Sequence, residues 1–416
     1  MLNKLVLFLI LITCYFIVNS QDTLKIKLLD AENLFIKNNF YLLANSMNVE
    51  AQKAQIIHSK VYPNPILTGD FNAYDPDNNK TFHIGKTGQK SFQIEQLIIL
   101  GGKRKAQIDY AKTNSNIAEI EFQQLILQLK FKLCSDLFSV GQLQGLLSRY
   151  NQQLNLLDTL LIAYKNQADK GNIPLKDVVR LKSAYLKLNN ERSEILANYF
   201  ETQTSLQTLL QTNNIIEFQF SEIDIQKYIQ NKTLEELKAI AILNQPEFLI
   251  AQKNKLLAEQ YIDSQSKLSI PDLNLFSSYD QRGGAFVNQL NIGFSIPLPF
   301  WDRNQGNIKT AKFKLKEANY NLLAKQNEML TELQNAYLIY IQSASEYKKI
   351  MSIYNNDFEI TINGMIENFQ KRNVSIIEFI DFFEAYNEVL NEITRIKAKL
   401  VLSSEKINLL IGRDIY

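Results

Sequence analysis

Apolar positions recur along this chain with two distinct periods. Leu143, Leu147, Tyr150, Leu154, Leu157, Leu161, Tyr164 and Ala168 step alternately by four and three residues, and Leu333, Tyr337, Tyr340, Ala344, Tyr347, Met351, Tyr354 and Phe358 do the same. A sustained 3.5-residue repeat keeps one apolar stripe along a helix and predicts coiled-coil packing with a left-handed supercoil. The tracts around both series are rich in Leu, Gln, Lys, Glu, Asn and Ala and poor in breakers, a composition that favours long helices. Glycine and proline concentrate instead in two regions, Pro63 to Gly102 and Pro271 to Gly306. There the period changes to two. Leu290, Ile292, Phe294 and Ile296 alternate with Asn291, Gly293 and Ser295, which predicts a strand apolar on one face and small or polar on the other.

The chain also repeats itself. Lys170-Gly171-Asn172-Ile173-Pro174 opens a helical tract ending at Leu209-Leu210, and Lys371-Arg372-Asn373-Val374-Ser375 opens another ending at Leu410-Ile411, each displaced by 201 residues. Ser59-Lys60 before Pro63 recurs as Ser266-Lys267 before Pro271. This displacement is far beyond the roughly 20–50-residue period of solenoids. The predicted organisation is a first repeat over 21–212, with helix 26–60, β-hairpin 66–97, long helix 103–168 and helix 175–211. A linker or equatorial segment follows over 213–232. The second repeat, over 233–416, has helix 233–267, β-hairpin 272–297, long helix 303–369 and helix 376–411. At 1.5 Å rise per residue the long helices span ~100 Å and the shorter ones ~50 Å. Two short helices end to end therefore match one long one. Each repeat builds a helical hairpin whose tip falls at Gly171-Asn172 or at Arg372-Asn373.

The predicted fold class is α+β, mainly α, with internally duplicated long coiled-coil hairpins and four strands. Membrane barrels need about eight strands, and open strand edges are not tolerated in lipid. If the two β-hairpins face a membrane, several chains must share one barrel.

Composition narrows the chemistry. Lys+Arg 45 against Asp+Glu 43 leaves a net charge of +2, which gives no electrostatic footprint for nucleic acid. Two His and two Cys leave almost no soft-metal ligands, so neither a metal site nor a cofactor is expected. They also leave no Ser/His/Asp or Cys/His constellation, so the chain is not expected to be an enzyme. Lys4 followed by the apolar run Leu5 to Val18 reads as a secretory signal peptide over 1–20; Cys14 is the alternative, as a lipid-acylation site. No later stretch is long and apolar enough for a transmembrane helix.

Ser295-Ile296-Pro297-Leu298-Pro299-Phe300-Trp301-Asp302-Arg303-Asn304-Gln305-Gly306-Asn307-Ile308 resembles the strand-to-helix motif of TolC-family outer membrane efflux proteins, and is most similar to their cation-efflux branch of the CzcC and CusC kind. The tip motifs, Gly171-Asn172-Ile173-Pro174-Leu175-Lys176-Asp177 and Arg372-Asn373-Val374-Ser375-Ile376-Ile377-Glu378, also match, with Arg372 where glycine is usual. The resemblance covers essentially all of the mature chain. It implies a homotrimer whose four strands per chain build a shared 12-stranded transmembrane barrel above a periplasmic α-barrel. It also implies a periplasmic adaptor, an inner-membrane pump of the RND type, and outer membrane lipid as partners. On this reading the chain is a passive exit duct; the alternative is a periplasmic coiled-coil scaffold or adaptor without membrane insertion.

Candidate sites follow, each beside a plainer explanation. Gly171, Asn172, Ile173 and Pro174, with Arg372, Asn373, Val374 and Ser375, are tip residues that turn chemistry explains; the resemblance adds adaptor docking. Asp177, Glu378 and Asp381 follow the tips, and Glu378 and Asp381 share one helix face at i, i+3. In a symmetric trimer each would form a ring of carboxylates able to constrict a pore. Helix N-termini also favour acids for the macrodipole alone. Arg180 and Arg372 are candidate ion-pair partners for these acids. Leu290, Ile292, Phe294 and Ile296 form the predicted lipid face. Leu100 to Lys105 reads as a strand-to-helix turn with basic residues near a membrane boundary, and Phe300-Trp301 as part of an aromatic girdle. His58 and His83 are isolated in the sequence.

Overall fold

The structure, a computed structural model, describes residues 22–282, 286–354 and 357–416. The predicted signal peptide, Cys14 and the Gly283-Gly284 pair lie outside the described residues. In chain order the elements are β1 (Thr23–Ile26), α1 (Leu28–Asn38), α2 (Phe40–Lys60), β2 (Ile66–Phe71), β3 (Tyr74–Asp75), β4 (Lys80–Thr81), β5 (Gln89–Ile98), α3 (Lys103–Asp169) and α4 (Leu175–Leu210). There follow β6 (Ile215–Phe218), α5 (Glu222–Gln226), α6 (Leu234–Asn244), α7 (Pro246–Leu268), β7 (Leu273–Arg282), β8 (Phe286–Ser295), α8 (Gln305–Ile353), α9 (Asp357–Gln370) and α10 (Ile376–Ile411).

Three predicted helices are shorter than their apolar pattern. Helix 26–60 breaks at Asn39, whose backbone turns extended at φ −66° and ψ 117°. The Asn39 side chain explains the break. Its Oδ1 accepts from the Leu42 backbone N–H at 3.1 Å, and its Nδ2 donates to the Leu209 carbonyl at 3.0 Å. A buried amide satisfied on both sides outweighs the one backbone bond lost. Helix 233–267 breaks at the corresponding place, Gln245, with φ −68° and ψ 117°. Here the cause is local: Pro246 follows, and a proline pushes the residue before it out of the helical region. Helix 303–369 is the third correction, because α8 ends at Ile353 and α9 begins at Asp357. Tyr354 lies outside either helix, and Asn355 and Asn356 are outside the described residues.

The chain divides into two compact units. The first holds the described residues up to Leu43, then Leu125–Gln245 and Leu330–Tyr416. The stretch predicted as a linker, 213–232, is structured here. β6 pairs in parallel with β1, from Thr23 opposite Ile215 to Ile26 opposite Phe218. α5 starts on a capping box between Ser221 and Asp224. Phe138 packs edge-on against Phe218 at 5.2 Å and against Tyr228 at 5.7 Å. Beside them Glu405 is buried, accepting from Tyr228 Oη at 3.0 Å and from Asn408 Nδ2 at 3.2 Å. Burial pushes its carboxyl above the usual range. Lys130 lies 3.3 Å from Glu32 and 2.6 Å from Asp414. Cys134, the one cysteine among the described residues, is buried, and desolvation pushes its thiol up, so it is not a reactive group.

The same unit has a second core of helix on helix. Leu146, Tyr150, Leu154, Leu157 and Leu160 of α3 pack with Leu181 and Leu188 of α4, Ile362 and Phe369 of α9, and Phe379, Phe383 and Leu390 of α10. The buried stripe on α3 lies one residue off the predicted one at Leu146 and Leu160. This is the drift expected when a helix of 3.6 residues per turn packs against several neighbours instead of one seam.

The second unit, Ala44–Gln124 with Pro246–Met329, carries the sheet. β2, β5, β7 and β8 form one four-stranded antiparallel sheet in that order, and β3 and β4 pair separately in the β2–β5 connection. Each predicted β-hairpin is present, and the two join through β5 and β7.

Candidate functional site: a two-faced sheet and paired hairpin tips

Side chains directly opposite each other on neighbouring strands point to the same face, so the register sorts this sheet into two surfaces. Leu67, Ile94, Ser277 and Ile292 form one cross-strand row, Gly69, Phe92, Tyr279 and Leu290 the next, and Gln96, Leu275 and Phe294 a third. The opposite surface alternates with it. Its rows include Thr68, Gln93, Ser278 and Asn291, then Asp70, Ser91, Asp280 and Gln289, with a mixed row of Ile66, Glu95, Phe276 and Gly293 nearer the helices. One face is therefore mainly aliphatic and aromatic, the other mainly hydroxyl, amide and carboxylate. Leu290, Ile292 and Phe294 are 71%, 85% and 69% exposed, a large apolar patch that needs a partner or a membrane. Ile296 lies just past the end of β8, so it flanks the strand rather than belonging to it. Gly293 is required by packing: a Cβ there would lie 2.4 Å from the Phe276 ring.

The β2–β5 connection holds an arrangement that sequence spacing does not reveal. His83, isolated in sequence and nearly buried, places Nδ1 2.6 Å from Asp75 Oδ2 and Nε2 3.0 Å from Thr87 Oγ1. Asp75 also accepts from the Asn78 side chain and from the backbone N–H groups of Asp77 and Asn78. The Asn78 amide, then His83, hold its carboxyl down at about 2. The loop is thus braced from inside.

The hairpin tips share one backbone design. After α3, Gly171 adopts φ +77°, its N–H donates to the Ala168 carbonyl at 2.9 Å, and the Asn172 N–H donates to the Gln167 carbonyl at 2.9 Å. After α9, Arg372 adopts φ +63°, its N–H donates to Phe369 at 3.0 Å, and the Asn373 N–H donates to Asn368 at 2.8 Å. Both are Schellman terminations. Arg372 therefore takes the glycine geometry despite its Cβ. The far ends of the returning helices reverse the pattern: Gln211 after α4 and Gly412 after α10 are both left-handed, at φ +54° and +73°. Each repeat thus spends one glycine on one of two equivalent left-handed positions. A left-handed non-glycine residue costs roughly 1–2 kcal/mol, partly offset by the extra chain entropy of glycine. Replacing Arg372 by Gly should therefore stabilise the protein by about 1 kcal/mol in thermal unfolding, and Gly171→Arg should destabilise it by a similar amount.

The returning helices start differently. Pro174 is the residue before α4 and makes no side-chain cap. Ser375 forms a capping box: Glu378 Oε2 accepts from the Ser375 N–H at 2.9 Å, and Ser375 Oγ accepts from the Glu378 N–H at 3.3 Å. Those bonds hold the Glu378 carboxyl below its usual range. An aromatic stack joins the two hairpins, with Tyr164 5.6 Å from Phe369, Phe369 4.2 Å from Phe379 and Phe379 5.7 Å from Phe383. Between the tips an open groove of about 900 Å³ is lined by residues of both, among them Asn172, Pro174, Asp177, Arg372, Val374 and Ser375. Glu378 and Asp381 are exposed on α10, flanking the buried Phe379. The predicted ion pairs do not form: among the described residues neither Arg180 nor Arg372 reaches Asp177, Glu378 or Asp381. Glu378 turns instead to its own helix cap.

Comparison with known proteins agrees with this architecture. The family model for outer membrane efflux proteins matches residues 238–348. The cobalt-zinc-cadmium resistance protein CzcC of Cupriavidus metallidurans is 23% identical over 303 residues, covering 73% of this chain and 70% of CzcC. The structure of CusC superposes with a TM-score of 0.76 at 14% identity, covering 93% of this chain and 92% of CusC. The chain carries the outer membrane efflux protein pattern over 238–348 and has the fold of outer membrane efflux channels over nearly its whole length. The Campylobacter jejuni CmeC outer membrane channel has the same fold, with a TM-score of 0.74 at 14% identity over 92% of this chain and 85% of CmeC.

The chain's relatives are outer membrane efflux channels with periplasmic helical domains. Among the described residues no helix is apolar enough to cross a membrane, and no group of three His, Cys, Asp or Glu side chains converges on a metal position. The efflux protein family is a class of transport channels. Sequence reasoning found the apolar strand β8 and both tips. It missed the matching rows on β2, β5 and β7, because Ser277, Gly69 and Gln96 interrupt their alternation. It also missed the His83–Asp75 brace.

Proposed function

We propose that this outer membrane efflux channel is the exit duct of a tripartite system, assembled as a homotrimer. The carrying observation is the open, two-faced sheet. Four strands with one apolar face cannot stand alone in lipid, since β2 and β8 leave their outer backbone groups unpaired. Three copies supply twelve strands, with the apolar rows outward and the polar rows toward a water-filled lumen. The polar rows suit passage of hydrated solutes. A periplasmic scaffold without membrane insertion gives the apolar rows no occupant.

The tips and the groove between them are the docking surface for a periplasmic adaptor, which couples the duct to an inner-membrane pump of the RND type. Gly171 to Pro174 and Arg372 to Ser375 form that surface. Asp177, Glu378 and Asp381 form carboxylate rings near the periplasmic entrance. CzcC is named for cobalt, zinc and cadmium resistance, and divalent cations are the cargo this reading favours. Acidic rings raise the local concentration of such ions.

Purified protein in planar bilayers is expected to conduct ions. A protein that stays monomeric and fully soluble without detergent would overturn the duct. If the rings constrict the pore, replacing Glu378 and Asp381 together by Ala raises single-channel conductance and lowers cation selectivity. Unchanged conductance and selectivity return Glu378 to its capping role alone.

A further inference from the structure

The junction between the sheet and the helices carries more positive charge than its own carboxylates neutralise. It lies wholly within the unit that holds the sheet. Lys60 ends α2, Lys103, Arg104 and Lys105 open α3, and Lys267 lies in the last turn of α7, running past Gly102. Two of these cations are matched: Lys103 lies 2.8 Å from Asp272, and Lys267 lies 2.5 Å from Asp263. The other three have no carboxylate among the described residues. Arg104 is the most informative. Its guanidinium stacks over the Tyr62 ring at 4.0 Å and donates to the Lys60 carbonyl. Its Nε is buried without a hydrogen-bond partner. A half-buried guanidinium pinned by an aromatic face, with donors to spare, is preorganised for a planar or tetrahedral oxyanion. Lys60 and Lys105 are exposed beside it.

Position decides which anion. These residues sit where the apolar rows of β2 and β5 end, so the cluster lies at the level of the lipid headgroups on the periplasmic side. Phe300 and Trp301, 65% and 89% exposed, follow β8 at the same end of the sheet, as expected of an interfacial aromatic belt. We propose that Lys60, Arg104 and Lys105 form a binding site for the phosphate headgroup of an anionic phospholipid in the inner leaflet of the outer membrane. The inference rests on the membrane placement of the sheet. The lipid phosphate accepts from Arg104 while the two lysines supply charge, and Tyr62 holds the guanidinium in place.

The test uses the full chain reconstituted in vesicles of phosphatidylcholine with or without phosphatidylglycerol. Lipid retained after detergent washing is read by native mass spectrometry, and conductance is recorded on the same preparations. Conductance reports the channel, so a failed lipid site is distinguishable from a failed membrane placement. Wild type is expected to retain phosphatidylglycerol in preference to phosphatidylcholine. The triple variant Lys60→Gln, Arg104→Gln, Lys105→Gln should lose at least about tenfold of that retention. The control pair Lys348→Gln and Lys349→Gln, exposed near the C-terminal end of α8 and so far along the helix from the junction, should lose none. If the triple variant does not assemble, the single changes Lys60→Gln and Lys105→Gln each still lower retention. Equal retention by wild type and these variants overturns the site, as does equal retention of the two lipids. Displacement of phosphatidylglycerol by inorganic phosphate at matched concentration identifies a generic anion site and overturns the lipid assignment.

Discussion

Replacing Ile292 by Arg is expected to cost the membrane-inserted protein about 2–4 kcal/mol, while the same change at the neighbouring Asn291 costs close to nothing. The two residues are adjacent on β8, yet the register puts Ile292 in the row of Ser277, Ile94 and Leu67, and Asn291 in the row of Ser278, Gln93 and Thr68. On the proposed placement, a charge on the first row must leave water for hydrocarbon, whereas a charge on the second enters an aqueous lumen. Urea unfolding from vesicles measures the difference directly. Asn291→Arg should also lower cation conductance, because it places positive charge on the polar surface. Equal destabilisation at both positions would mean that neither face meets lipid.

Phe379→Ala is the second large effect. Its ring is fully buried and stacked 4.2 Å from Phe369, between the two hairpins. Truncating such a residue removes transfer energy and leaves a cavity, about 3–5 kcal/mol in all. Because the stack continues through Phe369 to Tyr164, the loss should spread across both hairpins. Hydrogen exchange would show faster opening in α9 and in the first turns of α10. Ile377→Ala, two residues earlier but 59% exposed, should stay within about 0.5 kcal/mol of wild type. If the two variants behave alike, the aromatic stack is not what holds the tips together.

The parts of this fold that were legible in the sequence are those written in local patterns. The 201-residue displacement located both tips and both returning helices, and alternation located β8. The departures have causes that a linear reading cannot weigh. Asn39 breaks its helix because an acceptor 170 residues away, the Leu209 carbonyl, receives its amide. Gln245 breaks the equivalent helix because of the proline beside it, and that signal was present in the sequence but outweighed by the apolar run. β1 and β6 are four residues each and form only because each pairs with the other. Of the candidate sites, the tips were legible as turns, and the Ser375–Glu378 capping box matches a known spacing. The apolar rows of β2, β5 and β7 were not legible, because single strands with a serine, a glycine or a glutamine in the alternation look ambiguous until the register adds them together.

The sheet has two unlike edges. β2 is six residues long and β8 is ten, and in a sheet of four strands with every neighbouring pair antiparallel they run in opposite directions. Copies joined edge to like edge about a two-fold axis would turn the helix-bearing ends of their strands to opposite ends of the ring. Joining the β2 edge of one copy to the β8 edge of the next keeps every neighbour antiparallel, including those across the seams. Such a joint is heterologous: repeated, it closes into a ring or grows without end. The curvature of each copy then sets how many copies close the ring. A dominant-negative test follows from this polarity. A subunit whose β2 edge is blocked by a proline can still offer its β8 edge, so it enters the ring at one side only and halts closure, poisoning assembly in excess of its share.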